Sequence, residues 1–171
     1  MPHTVYIALG ANLGDRQANL QRAQQLLAPQ VRLLAASRIY ETPPWGYADQ
    51  PHFLNQVLLG ETRLNPKRLL AHLKKIEGLM GRQPAVRFGP RPIDLDILFY
   101  DRLVLDTPEL TIPHPRLHER GFVLLPLAEL APDFVHPVLG RTIARLLEQV
   151  DTAGISLYGL NFSDTILLTG Q

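Results

Sequence analysis

The chain of 171 residues contains no cysteine. This absence excludes disulfides, zinc sites built from thiolates and catalysis by a thiol nucleophile, and it suits a reducing compartment. The sequence also lacks an apolar run long enough to span a bilayer, and its first residues lack the basic and apolar segments of a signal peptide. We therefore expect a cytoplasmic protein that does not associate with a membrane.

An excess of charge of either sign is missing as well. Lysine and arginine together number 17, against 16 for aspartate and glutamate, so no overall field attracts nucleic acid or an anionic membrane. Prolines, by contrast, number 15, and their clusters between apolar segments indicate shaped loops. The length favours a single domain, 1–171, with its core at about 4–150 and a tail of unknown role at 151–171.

The apolar periodicity predicts an alternation of strands and helices. We expect strands at 4–9, 31–40, 53–62 and 93–100, the first of them ended by Gly10, and helices that start after Asp15 and Asn65. A short partner strand is expected at 103–105, and additional C-terminal helices at 121–131 and 142–150. Strand, helix, strand, strand, helix, strand is the order of ferredoxin-like folds. The predicted fold class is therefore α/β (α+β), with a ferredoxin-like βαββαβ core.

A short stretch of the chain leads from arginines into paired carboxylates. Arg82, Arg87 and Arg91 lie in a loop rich in glycine and proline, which is followed by Asp94 and Asp96 in an apolar run. Because side chains alternate along a strand, the two aspartates should share one face. Adjacent carboxylates repel each other unless a cation lies between them or one is protonated, and oxygen ligands suit Mg²⁺, Ca²⁺ or Mn²⁺. A nucleotide site with Mg²⁺ is one interpretation; an edge strand with ordinary salt bridges is the other.

A second group of polar residues begins with His114. This histidine lies between two prolines, so its backbone is restricted, and it could donate to a phosphate, carry a proton or satisfy a turn. Arg116 and Arg120 are four residues apart and would share a face of a helical turn, which suits an anion or a solvated basic surface.

Phe53 and Asn55 point to a different kind of ligand. They alternate onto one strand face, so a ring and a carboxamide lie together. A planar heterocycle could stack on Phe53 and be recognised by the donor and acceptor of Asn55. Ordinary core packing is the alternative for Phe53.

Taken together, the motifs resemble the 6-hydroxymethyl-7,8-dihydropterin pyrophosphokinase family. The resemblance runs from about residue 6 to about residue 145 and implies a ferredoxin-like fold. It also implies that the pyrophosphoryl group of ATP is transferred to the hydroxymethyl group of the dihydropterin, with release of AMP, in folate biosynthesis. The stretches that carry the resemblance are Gly10–Asp15, Tyr40–Pro44, Phe53–Asn55, Gly81–Arg82, Phe88–Ile97, Ile112–Arg116 and Arg120–Phe122.

The same resemblance implies a role for individual residues. Asp94 and Asp96 would hold two Mg²⁺ ions with ATP, and Arg82 and Arg91 would be the other catalytic residues. The implied ATP-binding residues are Lys74, Glu77, Arg82, Arg91, Ile97, Thr111, His114, Arg116 and Arg120. The implied pterin-binding residues are Thr42, Pro43, Pro44, Trp45, Phe53, Asn55 and Phe122. The expected partners are ATP and the dihydropterin, with no nucleic acid and no membrane, and the expected state is a monomer.

Three other functions are compatible with parts of the pattern. A ferredoxin-like nucleic-acid binder would use aromatic residues on the sheet, but it would need a basic stripe that the charge balance disfavours. An ATP sensor would keep the arginines and aspartates and yet form no AMP with the pterin. A glycosyltransferase with a D-x-D motif would be expected to have a longer chain.

Overall fold

The computed structural model describes residues 1–43, 51–81 and 91–159. A short 3₁₀ helix, Leu117–Glu119, precedes the third α-helix. The elements in chain order are β1 (His3–Ala11), α1 (Arg16–Leu27), β2 (Val31–Ala36), β3 (Tyr40–Thr42), β4 (Phe53–Thr62), α2 (Pro66–Leu79), β5 (Asp94–Tyr100), β6 (Leu105–Asp106), β7 (Thr111–Ile112), α3 (Gly121–Leu130), α4 (Ile143–Glu148) and β8 (Ser156–Leu157).

The main sheet is antiparallel and runs in the order β5-β1-β4-β3-β8, with β2 also paired to β4. Helix α1 connects β1 to β2 across the intervening β4, and α2 connects β4 to β5 across the intervening β1. These are two split βαβ units, the arrangement of a ferredoxin-like fold. The predicted fold class is therefore confirmed.

Both long helices begin at the predicted caps. The Asp15 carboxylate accepts the Ala18 N–H at 3.1 Å, and the Asn65 side-chain oxygen accepts the Arg68 N–H at 2.8 Å. Each bond satisfies a donor that the first turn of a helix leaves without an internal partner. Gly81, with a φ of 87°, follows the end of α2, as expected for a residue that is free to adopt the left-handed conformation.

The two faces of the sheet have different covers. On one face, α1 and α2 pack on a large apolar cluster that includes Leu9, Leu58 and Leu95. On the other face, α3 and α4 pack on a smaller cluster that includes Val57 and Leu98. Alternate residues of the same strands supply the two clusters, as the two-residue period of a strand requires.

The prediction of a single strand at 31–40 is wrong, because the chain forms two strands, β2 and β3, with a break that begins at Ser37. Ser37 donates its N–H to the Val57 carbonyl at 2.9 Å, but its hydroxyl, not its carbonyl, accepts the Val57 N–H at 2.9 Å. The Ser37 carbonyl accepts the Gln56 amide at 2.8 Å. A side-chain oxygen thus replaces a backbone acceptor in the ladder, and regular pairing with β4 resumes only at Tyr40.

Two further predictions about strands are wrong. Gly10 does not end β1, because the strand continues to Ala11 and pairs Gly10 with Asn55 and Asp94. The partner strand expected at 103–105 does not form. Asp101, at a φ of 48°, accepts the Thr4 N–H at 2.8 Å and turns the chain away from β5, so the chain pairs later, as β6 with β7.

The described part of the tail lies against the core. Strand β8 pairs with β3, and the Tyr158 N–H donates to the Ile39 carbonyl at 2.9 Å. The later part of the predicted tail, residues 160–171, lies outside the described residues. Among the residues that the structure covers, no helix is both long enough and apolar enough to cross a bilayer.

Candidate active site

A cavity of about 390 Å³ opens on the face of the sheet that carries the smaller apolar cluster. Its walls come from the last residues of β1, the first residues of β4 and β5, and the segment from 114 to 123. The predicted site residues that line it are Thr42, Phe53, Asn55, Lys74, Arg91, Asp94, Asp96, His114, Arg116, Arg120 and Phe122. Residues separated by up to 80 positions in sequence are therefore brought to one cavity.

The two aspartates lie side by side on the floor of this cavity. They alternate with Leu95, which is buried on the opposite face. Strand β1 pairs Gly10 with Asp94 and Ala8 with Asp96, so small residues neighbour both carboxylates and leave space beside them. Asp94 and Asp96 are therefore held on one face by the strand period, with room for a ligand beside them.

Arginine side chains surround these carboxylates. Nη1 of Arg91 donates to the two oxygens of Asp94 at 3.1 and 3.2 Å. Burial lowers the pKa of Arg120 from its ordinary value and Arg116 adds to this effect, whereas the charges of Asp96 and Asp94 oppose it. Cations and carboxylates thus line the same space, which is the charge pattern expected for a site that binds a metal and phosphates.

His114 is a neutral hydrogen-bond donor at the edge of the cavity. Burial, together with the charges of Arg120 and Arg116, lowers the pKa of His114 to about 4. Its Nδ1 accepts the backbone N–H of Arg116 at 3.2 Å. The neutral ring therefore carries its proton on Nε2, which can donate to an anion without a change of protonation.

A second cavity of about 240 Å³ adjoins the first. The two cavities share Lys74, Asp96 and His114 in their walls. Ile97 and Thr111, which the family resemblance assigns to ATP, line this second space. The predicted nucleotide residues therefore extend from the carboxylates into a separate compartment beside β7.

The aromatic end of the first cavity combines a ring with a fixed carboxamide. Asn55 is buried, and its Nδ2 donates to the Thr42 hydroxyl at 2.8 Å. Gly10 is close to both predicted pterin residues of β4, since a Cβ there would lie 3.3 Å from Asn55 Oδ1 and 3.7 Å from Phe53 Cδ1. Phe122, at the start of α3, also lines this end. These groups can hold a flat, polar heterocycle.

Other predicted site residues lie elsewhere. Glu77 is buried between α2 and β5, where its carboxylate accepts the Leu95 N–H at 2.9 Å and lies 3.4 Å from Lys74 Nζ. Pro43 lies beside Gly154 of the tail, with 3.5 Å between its Cγ and a Cβ placed on Gly154. Arg82, Pro44 and Trp45 lie outside the described residues.

Asn12 lies next to the site but was not among the predicted site residues. Asn12 is fully buried, and it bonds to the backbone of Arg91 through its own main chain and its side chain. The signal available in the sequence was a polar residue in a glycine turn directly after an apolar strand. Glu119 and Gln56 also line the cavity without having been predicted.

The residues present fit Mg²⁺. Asp94 and Asp96 supply hard carboxylate oxygens on one face, and Mg²⁺ characteristically binds through one or two carboxylates together with substrate phosphates and water. Nearby arginines suit the phosphates that would complete such a site.

The family model for 7,8-dihydro-6-hydroxymethylpterin-pyrophosphokinase matches residues 6–132 of the chain. The 2-amino-4-hydroxy-6-hydroxymethyldihydropteridine pyrophosphokinase of Methylorubrum extorquens is 43% identical over 152 residues, which cover 88% of this chain and 95% of that relative. The protein of the same name from Bacillus subtilis is 48% identical over 132 residues, or 76% of this chain and 79% of the relative.

Longer proteins are similar as well. The folic acid synthesis protein fol1 of Schizosaccharomyces pombe is 42% identical over 167 residues, which are 96% of this chain and 23% of that protein. This chain therefore spans about a quarter of that relative. A crystal structure of wild-type Plasmodium falciparum HPPK-DHPS with SDX-DHP has a TM-score of 0.67 at 19% identity, covering 86% of this chain and 43% of that one. The latter similarity concerns the fold.

Proposed function

Since the chain belongs to the 7,8-dihydro-6-hydroxymethylpterin-pyrophosphokinase family, we propose that it transfers a pyrophosphoryl group from ATP to 6-hydroxymethyl-7,8-dihydropterin in folate biosynthesis. The hydroxymethyl oxygen forms a bond to the β-phosphorus of ATP. The bond from that phosphorus to the oxygen shared with the α-phosphate breaks, AMP leaves, and the hydroxyl proton passes to solvent.

The observation that carries this proposal is the position of Asp96 in the walls of two compartments, with Asp94 in the wall of the first. One compartment has the ring of Phe53 and the amide of Asn55, and suits a pterin. The other is lined by Ile97 and Thr111 and suits the nucleoside end of ATP. A triphosphate that extends from the second compartment would bring its reacting phosphorus to the carboxylates, where the pterin hydroxyl would also lie.

In this proposal, Asp94 and Asp96 would hold two Mg²⁺ ions together with ATP. When bound, Mg²⁺ would neutralise charge on the triphosphate and help to orient it. Arg91 keeps the Asp94 carboxylate in place through its hydrogen bonds to both oxygens. Arg91 and Arg120 would also bind phosphate oxygens, and their charge would stabilise the transition state.

His114 would act as a neutral donor. Because its pKa is lowered to about 4, the ring offers an Nε2–H to a phosphate oxygen across the physiological range. The buried carboxylate of Glu77 lies 3.4 Å from the Lys74 ammonium. Glu77 would therefore act on the nucleotide indirectly. It would hold the Lys74 ammonium in place, and it would fix the start of β5 by accepting the Leu95 N–H.

Asn55 and Thr42 would select the heterocycle. The hydrogen bond from Asn55 to the Thr42 hydroxyl fixes the orientation of the carboxamide before the ligand arrives, which lowers the entropy lost on binding. Phe53 and Phe122 would pack on the two sides of the ring, and Pro43 would lie at the rim of this compartment.

The products of the purified chain test the proposal. We expect that phosphorus NMR of a mixture with ATP, Mg²⁺ and the dihydropterin shows AMP and a pterin pyrophosphate in equal amounts. Omission of the pterin should prevent AMP formation, and removal of Mg²⁺ with EDTA should stop the reaction until Mg²⁺ is restored. Formation of ADP in place of AMP, release of inorganic phosphate in place of a pterin pyrophosphate, or no reaction in the complete mixture, would contradict it.

A further inference from the structure

We propose that Asn12 is a positioning residue that fixes Arg91 relative to the pterin-side strand β4. This inference rests on the proposed function, because it assigns to Asn12 an effect on that reaction. Asn12 lies directly after β1 and is 0% exposed. Burial of a carboxamide costs free energy unless its polar atoms form hydrogen bonds. The groups to which Asn12 is hydrogen-bonded therefore indicate its role.

The first of these groups is the backbone of Arg91. The Arg91 N–H donates to Asn12 Oδ1 at 2.7 Å, and the Asn12 N–H donates to the Arg91 carbonyl at 3.0 Å. The main chain of Arg91 is therefore held on both of its polar groups by one residue. This pair of bonds fixes the position from which the arginine side chain extends.

The consequence reaches the carboxylates. Arg91 Nη1 donates to both oxygens of Asp94, and this side chain is only partly exposed, at 27%. A shift of the Arg91 backbone would move the guanidinium relative to Asp94, whose own backbone is fixed in the sheet opposite Gly10. Asn12 thus sets the distance between an arginine and an aspartate of the site without lining the cavity itself.

The second group lies in the segment that leads into β4, the strand of Phe53 and Asn55. Asn12 Nδ2 donates to the Pro51 carbonyl at 3.2 Å. Pro51 precedes by two residues Phe53, the first residue of β4 and a predicted contact of the pterin. One side chain therefore connects the backbone before β4 to the backbone before β5. A misplacement of about 1 Å between reacting groups can lower a rate by about a hundredfold.

Two substitutions separate the two connections. Asn12→Ala removes the two described side-chain connections and should lower kcat by about tenfold or more. Asn12→Asp keeps an oxygen that accepts the Arg91 N–H, loses the N–H donated to Pro51 and buries a carboxylate at a cost in stability, so its kinetics are measured per folded molecule. We expect both variants to raise the KM for the dihydropterin, and Asn12→Asp to recover part of the kcat that Asn12→Ala loses, with the KM for MgATP close to that of the unmodified chain.

Thr62→Val is the matched control for loss of buried hydrogen bonds. Thr62 is 3% exposed, donates to the Gln30 carbonyl at 2.8 Å and accepts the Leu64 N–H at 3.1 Å. It lies at the far end of β4 and lines a different cavity. Thermal unfolding of this variant and of Asn12→Ala should show losses of similar size, whereas kcat per folded molecule should fall only for Asn12→Ala.

A double-mutant cycle with Arg91→Ala decides whether Asn12 acts through Arg91. If it does, Asn12→Ala should lower kcat much less in the Arg91→Ala background than in the unmodified chain, because the effects of coupled residues are not additive. Fully additive effects, or equal losses of kcat in Asn12→Ala and Thr62→Val, would overturn the inference. Absence of AMP formation by the unmodified chain would instead reject the proposed function on which the inference rests.

Discussion

The two faces of the main sheet are made by alternate residues of the same strands. The first face is core except where Leu95 and Ile97 of the edge strand β5 border the second cavity, and the second face is shared with the site. On the first face, Leu9, Leu58 and Leu95 are covered by α1 and α2 and are nearly inaccessible. On the second face, α3 and α4 cover only the half that contains Tyr6 and Leu98. The other half of the second face forms the floor of the cavity that Asp94 and Asp96 line.

This difference shows how a short strand serves stability and chemistry together. In β5, Leu95 packs in the core while its neighbours Asp94 and Asp96 line the cavity. Desolvation of a carboxylate is costly, so the aspartates are compatible with the fold only where the second face is open. The packed face provides a rigid platform, and such support keeps functional side chains in place.

Of the substitutions outside the two aspartates, Arg91→Ala should have the largest effect on turnover, and it should affect the open half alone. We expect kcat to fall by about 10²–10³-fold, because a cation that stabilises developing charge is lost. The free energy of unfolding should change by only about 1 kcal/mol or less, since the ion pair with Asp94 is partly exposed. AMP release and urea unfolding measure the two quantities. Arg91→Lys, which keeps the charge without the planar fork, should be intermediate, and turnover of Arg91→Ala at the unmodified rate would refute the role.

The pH dependence of stability should sharpen the comparison, because the open half holds a half-buried histidine whose pKa is lowered. The pKa of His114 is lowered from 6.5 to about 4 in the folded chain. Between these values the unfolded chain binds a proton that the folded chain does not, so the free energy of unfolding should decrease as the pH falls from 6.5 to 4. The contribution of His114 to this decrease is up to about 3 kcal/mol.

His114→Gln should remove that contribution. Urea unfolding at several pH values measures it as the difference between the unmodified chain and the variant. This subtraction is needed because burial also lowers the pKa of His136, which adds to the slope of both proteins. Identical slopes for the two proteins would show that His114 is not held neutral by the fold.

Gly121→Ala should have a smaller effect on stability and activity. This variant tests whether a change in packing under the covered half of the second face alters substrate binding in the open half. A Cβ at Gly121 would lie 3.0 Å from both the Asp151 carbonyl oxygen and Ile155 Cδ1. We expect a loss of about 1–3 kcal/mol in the free energy of unfolding, because the tail or α3 must move. Since Phe122 follows directly, the KM for the pterin should rise while that for MgATP stays constant.

Gly78→Ala is the control for this substitution. A Cβ at Gly78 meets nothing within 4 Å, and alanine in a helix is favoured over glycine by about 0.5–1 kcal/mol. We therefore expect a small gain in stability and unchanged kinetics. If Gly121→Ala and Gly78→Ala behave alike in unfolding and in steady-state assays, the start of α3 does not influence the pterin compartment and the prediction is wrong.

The sequence allowed prediction of features that depend on local patterns. The caps Asp15 and Asn65 follow from the preferences of helix starts, and the common face of Asp94 and Asp96 follows from strand alternation. The order of strands and helices was enough to predict the ferredoxin-like arrangement. The resemblance to the pyrophosphokinase family led to the assignment of site residues, of which Arg82, Pro44 and Trp45 lie outside the described part of the chain.

Features that depend on distant partners could not be predicted in this way. The break at Ser37 arises because its hydroxyl meets the Val57 N–H, and the turn at Asp101 is fixed by the Thr4 N–H. The bonds of Asn12 to Arg91 span 79 positions. Neither partner in these pairs carries a local signal for the other. The single domain, the monomeric state and the cytoplasmic location stay predictions.

Activity and stability of Asp96→Asn and Leu58→Ala, measured side by side, test the central claim most directly, because Asp96 lies on the open half of the second face and Leu58 lies on the packed first face. The account predicts that Asp96→Asn loses nearly all AMP formation and stays as stable as the unmodified chain. Leu58→Ala should lose about 2–5 kcal/mol of stability and keep most of its turnover per folded molecule. Near-normal turnover by a folded Asp96→Asn variant would contradict the claim that the open half of the second face is the catalytic site.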